Sequence, residues 1–153
     1  MTEEVNPTQL SEFEESLLVP SLGRRFLNYL LDFIFINIIS YVLLFILGFV
    51  AAMISSDIVY EMQLHPQVLG YSVYFLVYFA YYIFFEANTG KTIAKFYTKT
   101  KVCSLDGTAL SYKRIIIRTL CRLIPFDNFS FFFIEDNKGW HDIISKTKVV
   151  KDS

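Results

Sequence analysis

Residues 33–56 form a run of 24 positions without a charged side chain, and a second uncharged run of 19 covers residues 67–85. A helix rises about 1.5 Å per residue, so roughly 20 apolar residues suffice to cross the hydrocarbon core of a bilayer. Extending the first run back to Phe26 admits only Asp32, and the pattern predicts one membrane span at about 26–56 and another at about 67–85. The second run closes at Glu86, followed by the helix-ending residues Asn88, Thr89 and Gly90. A chain of 153 residues has no interior large enough to hide two such segments, which predicts a mainly α, integral membrane helical hairpin.

Beyond Glu86 the pattern shortens. Residues 97–104 alternate as a strand does, Asp106 and Gly107 make a tight-turn pair, and residues 146–150 offer a partner strand, together predicting a small cytoplasmic β-hairpin or sheet. Ser111 is placed to cap a helix that reaches about Ile124, before Pro125. In that helix Lys113 or Arg114, Arg118 and Arg122 recur at four-residue spacing against Ile115, Ile116, Leu120, Leu123 and Ile124, the pattern of an amphipathic helix lying at a membrane interface. The apolar stretch 126–134 is too short to cross alone. A third span over 115–134 would have to bury two arginines and Asp127, so an interfacial or half-inserted segment at about 112–134 is the favoured reading.

Composition strengthens the membrane expectation: 54% of residues are hydrophobic and 18% aromatic, including 16 Phe and 10 Tyr, more than a soluble core of this size needs. Net charge is only −1, so the placement of charges says more than their sum. The linker 57–66 carries Asp57, Glu61 and His65 but neither Lys nor Arg; of the 14 basic residues, Arg24 and Arg25 precede the first span and the other 12 follow the second. The positive-inside bias then puts both termini in the cytoplasm of a multi-pass protein of the cell (inner) membrane. Residues 1–19 hold Glu3, Glu4, Glu12, Glu14 and Glu15 with no basic residue, and read as a flexible acidic tail ahead of one domain at 20–150. Cys103 and Cys121 lack any metal-ligand spacing and read as free thiols. No metal, cofactor or nucleic-acid partner is expected.

Three groups of residues are candidates for chemistry. Arg25, Asn28 and Asp32, spaced by three and four, share one face of the first span, with Asp32 about 10 Å along the axis from Arg25, too far for direct pairing. A carboxylate at that depth is either a proton or cation site or a structural anchor to Lys95, Arg118 or Arg122, and the anchor is the more ordinary outcome. Tyr71, Tyr74, Tyr78, Tyr81 and Tyr82 fall in a narrow arc of the second span, a stripe that lines either a cavity or a hydrogen-bonded helix interface. The segment Gly90-Lys91-Thr92-Ile93-Ala94-Lys95 lacks the upstream glycine of a phosphate-binding loop. His141 and Asp142 have no visibly paired nucleophile, and Trp140 beside them suits an interface anchor.

With these residues in place the chain resembles the RDD family of small bacterial membrane proteins, named for one arginine and two aspartates. Arg25 and Asp32 stand at the family's separation after Gly23-Arg24; Gly90, Thr92 and Lys95 match its motif after the second span; Lys101-Val102 and Asp106-Gly107 follow, and Trp140-His141-Asp142 with Thr147, Val149 and Val150 match its close. Ala94 stands where the family usually has glycine, and Asn28 where it often has alanine. The resemblance implies a suspected transport role, with Arg25, Asp32 and Asp142 as the motif residues and Asn28, Gly90, Thr92, Lys95, Arg118, Arg122 and His141 in support; cation/proton antiport has been proposed for a member.

Three functions follow as expectations. The first is transport of small ions or solutes with Asp32 as the coupling acid, which requires an oligomer because two spans cannot enclose a path. The second is an accessory or assembly protein that binds another membrane protein through the tyrosine face and the aromatic segment 129–133. An enzyme acting on lipid is the weakest, because no nucleophile or metal site accompanies it.

Overall fold

The computed structural model describes residues 19–105, 109–125, 127–130, 133–134 and 138–152. The acidic tail (save Val19), the Asp106-Gly107 turn and residues 131–132 of the aromatic segment therefore lie outside the described residues. Helix α1 spans Leu22–Ile54 and α3 spans Pro66–Thr89, the two helices long and apolar enough to cross a membrane among the described residues. They pack against each other through a core of Ile36, Val73, Val77, Tyr81 and Tyr82.

The buried positions of α1 are Arg25, Asn28, Asp32, Ile36, Ser40 and Ala51, a stripe that repeats every three to four residues over its first five turns and is polar at the N-terminal end. Its outward face is apolar, with Phe45 and Met53 each 74% exposed. In their most apolar stretches only 11% of α1 and 22% of α3 is buried, unlike the core helices of a soluble globule. A water-facing surface this apolar is unfavourable, and together the two helices suggest a membrane protein. Polar residues within the helices close on their own backbone: Asn37 donates to the Phe33 carbonyl at 2.7 Å and Ser40 to the Ile36 carbonyl at 2.7 Å. Such bonds leave few groups in need of water.

The linker between the spans is not extended. Ser55 caps a short helix α2, Ser56–Leu64, by accepting from the Asp57 amide, and none of its residues is buried. Residues 97–104 depart from the expected strand as well: Thr92 caps a helix α4, Ile93–Thr98, which ends at Lys99 in the left-handed region (φ 53°), and strand β1 begins only at Thr100. β1, Thr100–Ser104, pairs antiparallel with β2, Thr147–Lys151, from Thr100 opposite Lys151 to Ser104 opposite Thr147. The two-stranded sheet is thus closed by distant segments and not by a local turn.

Helix α5 spans Tyr112–Cys121, capped by Ser111 as the sequence predicts but ending three residues before Ile124. After the irregular turn at 122–125 comes the short α6, Asp127–Ser130, and later α7, Trp140–Ile144. No single helix covers 115–134: the backbone breaks at 122–125, so this stretch is not a continuous third spanning helix. The orientation of α5 also differs from an interfacial helix with its arginines in water. Arg118 is wholly buried, while Ile116, Leu120, Leu123 and Ile124 are 40–49% exposed. The acidic groups that hold those arginines explain this reversal.

Candidate functional site

The ends of α1 and α3, with α4, α5 and α7 packed around them, enclose a network of charged side chains. At its centre is Arg118 on α5, with no exposed surface. Its Nη1 pairs with Asp142 Oδ1 and donates to Thr147 Oγ1 at 2.7 Å, and its Nε lies 3.3 Å from Glu86 Oε2. Arg25 meets the other oxygen of Asp142 at 2.6 Å. Glu86 also takes Lys95 Nζ at 2.5 Å and Arg122 Nη2 at 2.9 Å, and Arg122 stacks on the Tyr82 ring at 4.0 Å. Two buried carboxylates, Glu86 and Asp142, thus share four cations through one arginine. Removing such charges from water is costly unless each finds partners of the opposite sign, which is why α5 turns its basic face inward.

Asp32 is held differently. Tyr81 Oη donates to its Oδ1 at 2.6 Å, Thr92 Oγ1 donates to its Oδ2 at 2.9 Å, and the Ala94 amide lies 3.4 Å from Oδ1. The expected anchor from Asp32 to Lys95, Arg118 or Arg122 does not form: those cations are taken by Glu86, and Asp32 is satisfied by neutral donors. Lys95 and Arg122 act on it only at longer range. Ala94 is itself fully buried, and its backbone amide reaches Asp32. Asn28 ties α1 to the sheet, accepting from Thr98 Oγ1 at 2.5 Å and donating to Thr100 Oγ1 at 3.1 Å.

A further buried carboxylate, Asp127, holds His141, the chain neighbour of Asp142. Asp127 accepts from the His141 amide at 2.8 Å, and its other oxygen lies 2.5 Å from His141 Nδ1. Gly139 makes room for that ring: a Cβ there would lie 2.6 Å from His141 Cε1. Burial pushes the His141 pKa down, against the pull of Asp142 and of the Asp127 bond. Burial also opposes ionisation of Asp142, but Arg118, His141 and Arg25 outweigh it and hold the carboxyl well below its usual range. Burial pushes the Lys95 ammonium down to about 8 despite its contact with Glu86.

Gly90 links the second span to this network. It adopts φ 68°, ends α3, and accepts from the Val102 amide at 2.8 Å, so that Thr92 and Lys95 of α4 return to Asp32 and Glu86. The RDD family profile matches residues 19–146. The chain belongs to the RDD family. Arg25 and Asp142 are in direct contact across 117 positions, whereas Asp32 bonds Tyr81 instead. Neither a curated protein nor a solved structure matches the chain.

The tyrosine stripe of this RDD chain divides. Tyr81 and Tyr82 are buried and Tyr74 and Tyr78 half-buried, but Tyr71 is 66% exposed and belongs to the outer surface. Val73 and Val77 are buried against α1, so the helix interface is centred on valines and Tyr81. Sequence reasoning missed Glu86 and Asp127. Glu86 was legible only as the residue that ends an uncharged run, four positions after Tyr82; Asp127 was the lone acid in an apolar stretch. Cys103 and Cys121 are free.

Proposed function

We propose that this RDD protein is embedded in the cell (inner) membrane as a two-span hairpin with both termini in the cytoplasm, and that it moves small ions or solutes without acting as an enzyme. The apolar outer surface and the basic residues at the ends of the spans support that placement.

The transport reading rests on a series of adjoining cavities. A cavity of about 50 Å³ beside Asp32 shares Tyr29, Tyr82 and Arg122 with a second of about 400 Å³. That one shares Phe33 and Tyr74 with a third of about 490 Å³, lined also by Asn37, Ser40 and Gln67. They follow the tyrosine side of the α1–α3 pair from the charged network toward the start of α3. The path is open along one side, and a symmetric oligomer or a second membrane protein would close it. Asp32 stands at its inner end. Because its partners are neutral donors, it can exchange a proton without breaking an ion pair, and we assign it the role of coupling acid.

The test is flux in proteoliposomes of the full chain with an imposed ion gradient and a pH-sensitive dye inside. Wild type should move protons, and Asp32→Asn, matched for insertion and oligomeric state, should lose at least tenfold in rate. No flux from correctly inserted wild-type oligomer would remove the transport reading. The second reading, an accessory protein for another membrane protein, draws on Phe133, 88% exposed, and on Tyr41, 70% exposed. Co-purification of a stoichiometric membrane partner would support it.

A further inference from the structure

The cavity beside Asp32 is lined unequally by the two signs of charge. Arg25, Lys95, Arg118 and Arg122 all contribute to its wall, whereas Asp32 is the one carboxylate among its described lining residues. Asp32 has its oxygens engaged by Tyr81, Thr92 and the Ala94 amide. The carboxylates that neutralise the cations, Glu86 and Asp142, are not among the residues that line the space. Counted with Glu86 and Asp142, which contact these cations directly, the surroundings of the void hold four cations against three carboxylates.

The donors are also incompletely used. Arg25 Nε, Arg118 Nη2 and Arg122 Nε are buried and make no hydrogen bond among the described residues, and all three side chains belong to the cavity wall. A buried guanidinium N–H without an acceptor is costly. The void, of about 50 Å³, exceeds the roughly 10–15 Å³ that one water requires. An anion there would meet unused donors, reduce the local excess of positive charge and fit the volume if small.

We propose that this cavity is a binding site for a small monovalent anion of the halide class, held by Arg25, Arg118 and Arg122 with Lys95 beside them. The site does not depend on transport: a chain that binds the anion and carries no flux keeps the site and loses only the coupled movement. If transport also holds, the anion occupies the inner end of the path, next to the coupling acid.

The probe is bromide, added to the full-length protein in detergent. Thermal stability is compared in sodium bromide and sodium gluconate at equal ionic strength, since a ligand of the folded state raises the melting temperature saturably. Bromide should give a saturable rise that gluconate lacks. Arg122→Gln should abolish that rise, while Lys113→Gln, on the exposed face of α5, should keep it. Crystals grown in saturating bromide supply a measurement independent of variant folding: an anomalous peak within hydrogen-bonding distance of Arg118 Nη2 is expected. Equal melting temperatures in the two salts, or water alone in the cavity at saturating bromide, would overturn the site.

Discussion

Asp32 and Glu86 sit on neighbouring helices, each shielded from solvent, yet one is met by hydroxyls and an amide and the other by three cations. The difference sets what each substitution costs. Glu86→Gln leaves Lys95, Arg118 and Arg122 facing one another without their common counter-charge and should destabilise the fold by about 3–5 kcal/mol, read as a fall in detergent melting temperature. Tyr81→Phe removes one donor from Asp32 and should cost about 1–3 kcal/mol by the same measurement. His141 supplies a pH dependence. Its folded-state pKa lies below the ordinary histidine value of about 6.5, so protons prefer the unfolded chain and stability falls as pH drops below that value. Asp142, lowered in the fold, loses its contribution only in stronger acid, as pH falls through the ordinary carboxylate range toward its depressed value. Melting curves from pH 7.5 to 5 should therefore decline, and His141→Gln should flatten that decline.

At the scale of elements, the reversal of α5 is the main departure from the pattern. Spacing placed its arginines on one face and its aliphatic residues on another; in the fold Arg118 is buried together with Ile115, while Ile116 and Leu120 face outward. Which face turns inward was decided by Glu86 and Asp142, on elements far away in sequence. The same logic orients α1, whose buried stripe is its polar one. At the α3–α4 junction, Gly90 is in the left-handed region and a Cβ there would meet the Val102 carbonyl at 3.3 Å. Gly90→Ala should cost about 1–2 kcal/mol through backbone conformation, read by thermal denaturation. It should also loosen the return of Thr92 to Asp32.

Among the described residues the two long helices turn large apolar side chains outward, while a cluster of charged groups, Arg25, Asp32, Glu86, Lys95, Arg118, Asp127 and Asp142, is buried. With this surface, dilution of purified protein below the detergent's micellar concentration should cause aggregation, measured by light scattering, and transfer to lipid nanodiscs should prevent it. The sequence by itself determined the two long helices, the Ser111 cap, the two strand regions and the shared face of Arg25, Asn28 and Asp32. All of these follow from periodicity or from local hydrogen bonding, which act over a few neighbouring positions. Tertiary structure alone decided that Arg25 meets Asp142 and that Glu86 gathers the cations expected for Asp32. A buried charge takes its partner from whatever segment packing brings within a few ångströms, and spacing along the sequence does not encode that choice.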